Sequence, residues 1–295
     1  MSTTSNDHGR AFEYMVVNQL LQDCDNLEQT DNCIRCQIRD IKKINELDNN
    51  VKLDMSDGSR VISNWIKNLL NSQYIYKIDR LDDTIAMEGD VTDICIYNEQ
   101  CNICHNFSIK HHHNATKHQR IPALMQALGF EKGSKEDMHY RQEYESIKNS
   151  ILADIRSNFH NVTEYNEIKS QNPTFIDKKI YYRLCRFYKD SINNYLNTTV
   201  IQNLFKFLVG NVGFYKCINY SKFVEIMDFT NIQLPTECNV CLNNNSHIRI
   251  EFNNGFLLDM RLHSASSVFS GLSMKFDTQI INLPNDLEVI KIVKY

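Results

Sequence analysis

Gly89-Asp90-Val91-Thr92-Asp93-Ile94-Cys95-Ile96-Tyr97 and, after a short turn, Phe107-Ser108-Ile109-Lys110-His111-His112-His113 are the two segments that decide the fold. The first is rich in β-branched residues, and together the two segments predict adjacent antiparallel strands joined by a tight reversal. With the two-residue period of a strand, Ser108 and Lys110 share one face of the second strand. We therefore expect the Asp93 carboxylate on the first strand to meet the Lys110 ammonium on the second.

An acid and a lysine on adjacent strands suit the hydrolysis of a phosphodiester. This reaction needs an activated water and a sink for negative charge, which one or two magnesium ions held by carboxylates supply. A lysine beside the metal adds positive charge next to the attacked phosphate and orients the water. Each residue also has an ordinary interpretation, Asp93 as a structural acid at a strand start and Lys110 as an exposed cation.

A dense run of basic residues follows the second strand: His111, His112, His113, Lys117, His118 and Arg120. We predict that Lys117, His118 and Arg120 open a helix, whose backbone N–H groups favour phosphate together with the basic side chains. If the strand persists, His111 and His113 lie on the face opposite Lys110, and His112 shares the face of Lys110. The histidines could bind zinc, contact phosphates or base edges, or form solvated surface.

Length, charge and cysteine content exclude several classes of protein. The 295 residues suit one large domain or two small ones. No run of about 18 apolar residues occurs, so no membrane span is predicted, and the polar N-terminus predicts no secretory signal. Ten cysteines in such a chain indicate a reducing cytoplasm rather than a disulfide framework. The net charge of −4 gives no global basic field, so local charge must attract any nucleic acid.

Amphipathic patterns predict helices before the central strands and strands near the end of the chain. Residues 5–22 form a helix with Glu13 near its apolar face, and residues 33–47 form another. The apolar stripe of this second helix consists of Ile34, Ile38, Ile41 and Ile44. Later, Asn253-Asn254-Gly255 predicts a tight turn between strands His247–Phe252 and Phe256–His263.

Blocks of sequence in a fixed order along the chain resemble a known family. The blocks are Gly9-Arg10-Ala11-Phe12-Glu13-Tyr14, Gly89–Asp93, Ser108–His113, Lys117–Arg120, Leu208–Gly210, Phe214–Lys216, Arg261–Ser267 and Leu272–Asp277. They resemble the type II restriction endonucleases of the HaeIII family, which cut double-stranded DNA at GGCC. Any one block is weak, but the ordered set is specific and spans nearly the whole chain.

The resemblance implies an α/β fold with a PD-(D/E)xK-type nuclease core, a mixed sheet flanked by helices, and helical and β-hairpin additions in the C-terminal half. It also implies magnesium dependence, a homodimer on a palindromic site, and a cognate DNA methyltransferase that protects the host. We expect residues 1–130 to form the nuclease core. We expect residues 131–295 to supply DNA recognition and the dimer contact.

Site residues follow from the same blocks. Asp93 and Lys110 are the predicted catalytic pair, but the acid that the motif places two residues before the lysine is Ser108 here. A hydroxyl is a poor magnesium ligand, so Asp90 or Glu13 is expected to complete the metal shell. His112 also stands where the family pattern leads us to expect asparagine. The predicted DNA contacts are His111, His113, Lys117, His118, Arg120, Arg261 and His263, with Arg261 suited to a bidentate pair with guanine.

Three Cys-x-x-Cys pairs raise the possibility of zinc. Cys101/Cys104 and Cys238/Cys241 lie in polar segments predicted as loops, and together they could hold a structural zinc ion. Cys33/Cys36 begins an apolar helix and is expected to pack. These pairs support an alternative function, a non-catalytic DNA-binding protein with zinc-stapled loops. A second alternative is a nuclease whose chemistry depends on the histidines of residues 111–118.

Overall fold

The computed structural model describes residues 5–81, 91–112, 115–210 and 213–294, with the backbone only for 5–6 and 115–118. The chain divides into two compact units, each built from separated segments. The first unit contains residues 1–114, 210–232 and 286–295, and the second contains residues 115–209 and 233–285. These units differ from the predicted division after residue 130, because the sheet of the first unit takes strands from both later segments.

The helices and strands are numbered in chain order. The helices are α1 Ser5–Asp23, α2 Asp31–Asn45, α3 Asn49–Leu69, α4 Leu124–Ala127, α5 Lys135–Asn158, α6 Tyr165–Gln171, α7 Tyr182–Tyr195 and α8 Thr198–Val209. The strands are β1 Leu27–Gln29, β2 Tyr76–Arg80, β3 Ile94–Asn98, β4 Ile103–His111, β5 Ala115–Arg120, β6 Tyr215–Asn219, β7 Phe223–Asp228, β8 Cys238–Asn244, β9 His247–Phe252, β10 Leu257–Ser264, β11 Met274–Asn282 and β12 Val289–Val293. A 3-10 turn at Ile121–Ala123 precedes α4, and a π-helix at Ile176–Tyr181 precedes α7. No described helix has the length and apolar character needed to cross a membrane.

The first unit is a seven-stranded mixed sheet flanked by helices, as the α/β prediction requires. Its strand order is β1-β2-β3-β4-β6-β7-β12. The pairs β1–β2 and β4–β6 are parallel, and the other neighbours are antiparallel. The predicted antiparallel pairing of β3 with β4 is confirmed, with Ile94 opposite Phe107.

The strand period divides this sheet into an apolar face and a polar face. Phe12 of α1 and Ile62 of α3 pack in one cluster with Ile96 and Ile109, all with no more than 1% of their surface exposed. The alternate positions of β4 and β6 face the other way, where Ser108 lies opposite Lys216 in the parallel ladder. The side chains of Ser108, Lys110 and Lys216 therefore lie on the face opposite the apolar cluster.

Helix α2 does not bury the isoleucine stripe that its sequence predicts. Its buried residues are Cys33, Cys36 and Asp40, whereas the exposed fractions of Ile34, Ile38 and Ile41 are 41%, 68% and 46%. The ionised Asp40 faces inward because the Arg80 guanidinium lies 3.0 Å from its Oδ2 atom. A buried ion pair thus determines which side of α2 packs inward.

The second unit is a five-stranded antiparallel sheet with the order β5-β11-β10-β9-β8. Apolar residues cover its inner face, where Tyr188 of α7 contacts Phe276 and Phe205 of α8 contacts Phe252, with ring centroids 4.6 and 5.1 Å apart. The predicted hairpin between β9 and β10 is confirmed. Gly255 supplies the positive φ of 92° that this turn requires.

Residues 115–120 form strand β5 and not the predicted basic helix. Arg120 pairs with Lys275 and Lys117 with Thr278 on β11, and helical structure begins only at Ile121. Gln119 is buried and exchanges hydrogen bonds with Thr278 at 2.8 and 3.0 Å. The cross-strand partners on β11, which are distant in sequence, therefore outweigh the local helix signal of these residues.

Candidate active site

Asp93 and Lys110 meet at the start of β3, as predicted from their places on adjacent strands. The Lys110 ammonium lies 2.9 Å from Asp93 Oδ2. The same oxygen accepts hydrogen bonds from the Ile109 backbone N–H at 2.6 Å and the Ser108 hydroxyl at 3.3 Å. Asp93 and Lys110 side chains keep 20% and 25% of their surface exposed, so both remain accessible to a ligand.

The β3–β4 hairpin fixes this geometry through the backbone. The Asp93 N–H donates to the Phe107 carbonyl at 2.9 Å, one position beyond the last ladder pair. Asp93 is therefore held opposite Ser108, and the side chains of Ser108 and Lys110 project from the same face of β4. Ser108 is 2% exposed and places a hydroxyl where the family motif has an acid.

Glu13 of α1 supplies a second carboxyl group to this centre. Its Oε2 atom lies 2.6 Å from Arg80 Nη2, and its side chain is 17% exposed. Burial, followed by repulsion from the Asp93 carboxylate, raises the pKa of Glu13 to about 7, against the lowering effects of Arg80 and Lys110. Such repulsion between carboxyl groups indicates a cluster of oxygen ligands, and a bound cation would relieve the repulsion.

The donor set suits a hard divalent ion. Glu13 and Asp93 offer carboxylate oxygens, which magnesium prefers. Burial raises the pKa of Glu13 most and the Asp93 carboxylate raises it further, so the two carboxyl groups lie within electrostatic reach of one another. These residues therefore fit a magnesium site, whereas Asp90, the other candidate ligand, lies outside the described residues.

Lys216 is a site residue that the analysis of sequence motifs did not single out. It lies opposite Ser108 on β6 and only 3% of its surface is exposed. Burial, followed by repulsion from Lys110, lowers the pKa of Lys216 to about 7, although Glu225 and Asp93 raise it. Its membership of the block Phe214–Lys216 was a signal in the sequence, but its pairing with β4 depends on a long-range contact.

The histidines after Lys110 face a different group of residues. His111 is 7% exposed in its side chain, its Nδ1 atom lies 3.1 Å from Asn219 Nδ2, and burial lowers its pKa to about 4. His112 lies beyond β4 with a φ of 53°, and its Nε2 atom is 3.1 Å from Asp54 Oδ2. His112 thus joins His111 near Asp54, not Lys110 as predicted, and the burial of His111 argues against the predicted DNA contact.

Asp54, His111 and His112 place one potential ligand atom each within 4.8 Å of the others. Lys294 Nζ already lies 2.5 Å from Asp54 Oδ1, and Asn219 Nδ2 lies 3.1 Å from Asp54 Oδ2. An ammonium group on this carboxylate opposes a second cation beside it. The group is therefore best explained as a polar network that joins α3, β4, β6 and the segment after β12.

The remaining predicted DNA contacts lie in the second unit or outside the described side chains. Arg120 is exposed on β5, where Nη1 donates to Ser273 Oγ at 2.9 Å. Arg261 and His263 lie on β10 of the same sheet. His113 and the side chains of Lys117 and His118 are outside the described part of the chain.

The cysteine pairs are divided between the two units. Cys101 lies in the turn before β4, whereas Cys104 lies on β4 itself, where its Sγ atom is 3.4 Å from Cys95 Sγ. Cys238 and Cys241 lie on strand β8 and not in a loop as predicted. Residues three apart on a strand project to opposite faces, which is unlike a zinc knuckle. A zinc site joining the four cysteines remains a prediction.

A mixed sheet flanked by helices, with an acid and a lysine paired on adjacent strands, is consistent with the fold of a nuclease. Comparison with known proteins gives the family. The family model described as HaeIII restriction endonuclease matches residues 9–234. The type II restriction enzyme HaeIII of Haemophilus aegyptius is 22% identical over 325 residues, and the match covers 96% of each chain. No solved structure matches.

The chain therefore belongs to the HaeIII restriction endonuclease family and is a type II restriction endonuclease. It is a hydrolase, and its class acts on DNA. Membership of this family excludes the alternative of a non-catalytic DNA-binding protein.

Proposed function

We propose that the protein cleaves double-stranded DNA at a short palindrome, GGCC, by magnesium-dependent attack of water, and that its core is of the PD-(D/E)xK type. The observation that supports the chemistry best is the 2.9 Å contact between Lys110 Nζ and Asp93 Oδ2, with Glu13 close enough to be repelled by Asp93. The proposed target follows the resemblance to the HaeIII family.

Asp93 and Glu13 would hold the metal ion, with Asp90 as a further candidate ligand. When bound, magnesium supplies positive charge for the transition state and lowers the pKa of a water molecule. Glu13 must lose its proton to bind, and because its pKa is about 7, metal binding near neutral pH would release a proton from it. Arg80 fixes the orientation of Glu13 through the contact at 2.6 Å.

Lys110 would orient the attacking water and stabilise the charge that develops on the phosphate. The water oxygen bonds to phosphorus as the P–O3′ bond breaks. The proton that the attacking water gives up passes to solvent, and the departing oxygen takes up a proton from solvent. Asp93 would hold the Lys110 ammonium in place through the 2.9 Å contact. Ser108 would position Asp93 through its hydroxyl group, not bind metal.

The biological setting follows from the class of enzyme. A palindromic target suits a homodimer with two-fold symmetry, and a nuclease of this specificity needs a DNA methyltransferase to protect the DNA of its own cell. We place the enzyme in the cytoplasm with its DNA substrate. The second unit would supply most DNA contacts, including Arg120, Arg261 and His263.

Digestion of a plasmid of known sequence tests this function. With magnesium, we expect discrete fragments whose mapped ends all fall within GGCC. Addition of EDTA should stop cleavage, and excess magnesium should restore it. If the enzyme cuts no plasmid in the presence of magnesium, the proposed function is wrong. If it cuts at another sequence, only the proposed target changes.

The histidine-centred alternative makes the opposite prediction at two residues. Our proposal expects His112→Ala to retain cleavage, because His112 contacts Asp54 and not the Asp93–Lys110 pair. A histidine-centred nuclease would lose activity in His112→Ala and keep it in Asp93→Ala. The relative rates of these two variants on one plasmid distinguish the two chemistries.

A further inference from the structure

The outer face of the five-stranded sheet carries polar side chains in three rows across the strands. The first row contains Arg249, Asp259 and Gln279, and the second contains His247, Arg261 and Asp277. The third row contains His263, Lys275 and Arg120. Neighbours within a row lie directly opposite one another on adjacent strands, so their Cβ atoms are about 5 Å apart.

The opposite face of these strands is apolar and serves as the core of the unit. Ile248 and Ile250 of β9, Leu258 and Met260 of β10, and Phe276 of β11 are completely buried. The polar face is accessible by contrast, since Arg261 and Arg120 are exposed and the side chain of Arg249 is 43% exposed. The sheet thus presents a charged surface on a rigid, well-packed support.

The charges of the three rows are not distributed evenly. In the third row Lys275 and Arg120 are cations, which suits contact with phosphates, whereas burial and the nearby Lys275 lower the pKa of His263 and favour its neutral form. The first two rows mix arginine with aspartate and therefore offer donors beside acceptors. Base edges in the major groove present such a mixture of acceptors and donors, whereas the phosphate backbone presents acceptors only.

Asp259 contacts two basic side chains of the first two rows, His247 and Arg249. Its Oδ2 atom lies 2.5 Å from His247 Nδ1, and its Oδ1 atom lies 3.6 Å from Arg249 Nε. The Asp259 side chain is 15% exposed, so it is held below the surface that Arg249 presents. At 3.6 Å the contact is an ion pair without a hydrogen bond, and it attracts the Arg249 guanidinium towards Asp259.

We propose that this outer face reads the DNA sequence, with Arg249 and Arg261 contacting guanine edges in the major groove. Asp259 acts as a positioning residue for Arg249, and Lys275 and Arg120 hold a phosphate strand. Strands can enter the major groove in this way, and arginine pairs with guanine through two hydrogen bonds. The inference deepens the proposed function and depends on it, because it assigns specificity to residues of an enzyme that cuts DNA.

Cross-strand ion pairs that only stabilise the sheet are the competing explanation. They would make each variant less stable without changing which sequence is bound. The experiment must therefore compare two DNA sequences at equal protein stability. A decrease in preference between them cannot come from a purely structural role.

The test uses the Lys110→Ala enzyme, so that bound DNA stays intact. Fluorescence anisotropy measures its binding to a duplex with the site mapped from wild-type cleavage and to a scrambled duplex. Adding Arg249→Ala or Arg261→Ala should reduce the preference for the mapped site by about 10- to 100-fold. Arg261→Lys should lose preference similarly, because lysine keeps the charge but lacks the two-pronged donor.

Two further variants separate phosphate contacts from base contacts. Lys275→Ala should weaken both duplexes equally and reduce the slope of log affinity against log salt by about one. Arg156→Ala, which removes an exposed arginine from α5, serves as the matched control and should change neither property. Thermal unfolding of every variant checks that its fold is intact.

The outcomes distinguish this inference from the proposed function. If the wild-type enzyme cuts a defined site but Arg249→Ala and Arg261→Ala keep the full preference for it, the inference is wrong and the function stands. If the wild-type enzyme cuts no DNA, both fail. Equal loss of affinity for the two duplexes in the arginine variants would also overturn base reading by this face.

Discussion

Glu13 shows how burial and neighbouring charges prepare a residue for metal binding. Burial and Asp93 raise the pKa of its carboxyl group to about 7 from an ordinary value of 4.5. Between these values the folded state binds more protons than the unfolded state. The folded protein therefore becomes less stable as the pH rises through this window, when no metal is bound.

The variant Glu13→Gln tests this effect. In EDTA, the wild-type free energy of unfolding should fall relative to that of Glu13→Gln by about 1–3 kcal/mol between pH 5 and pH 8. Urea unfolding at both pH values measures the difference. A constant difference between the two proteins would show that Glu13 is not held in a repulsive, buried environment.

Lys216 is expected to lower the stability of the folded protein and to support cleavage. Because burial lowers the pKa of its amine to about 7, replacement by methionine should stabilise the protein by about 1–3 kcal/mol. Cleavage should slow, because Lys216 interacts electrostatically with Lys110 and Asp93. Urea unfolding and initial cleavage rates measure the two effects. A less stable variant with normal cleavage would contradict this account.

At the scale of elements, the observed orientation of α2 predicts a small effect on stability when its isoleucines are replaced. The hydrophobic periodicity of its sequence predicts a large one. Ile38 is 68% exposed and Ile62 of α3 is completely buried. Ile38→Ala should change the free energy of unfolding by less than about 0.5 kcal/mol, whereas Ile62→Ala should cost about 2–5 kcal/mol. Equal destabilisation by both substitutions in urea unfolding would mean that the isoleucine stripe of α2 is buried after all.

The elements also show which features a sequence can reveal. The β3–β4 hairpin was predictable because Asp93 and Lys110 lie on strands that are neighbours in the chain, and so was the β9–β10 hairpin with its Asn-Gly turn. Residues 115–120 were not, because their strand depends on β11, more than 150 positions later. The inward side of α2 depends on Asp40 and Arg80, a pair that hydrophobic periodicity does not register.

At the scale of the whole molecule, each unit depends on segments that are far apart in the chain. Strand β12 completes the seven-stranded sheet by pairing with β7, and Lys294 contacts Asp54 Oδ1 at 2.5 Å. Pairing over such distances leaves no local signal, which is why a simple boundary at residue 130 was predicted. The contact between Asp93 and Lys110 was predictable because the two residues come from two adjacent strands.

Removal of residues 286–295 tests this discontinuous architecture. The deletion exposes the edge of β7 and removes a partner of Asp54, so we expect lower thermal stability and aggregation through the open edge. Differential scanning calorimetry and light scattering measure both. Substitution of Lys291 by alanine, which leaves the strand in place, is the control. A deletion variant as stable as the full chain would contradict the proposed role of β12.

The most direct measurement is the cleavage rate of Asp93→Asn and Lys110→Ala on a plasmid with magnesium, compared with Glu99→Gln. Glu99 lies in the turn of the same hairpin and its side chain is 70% exposed. The account predicts a loss on the order of 100-fold or more for the first two variants and the wild-type rate for the third. Wild-type cleavage by a folded Asp93→Asn protein would contradict it.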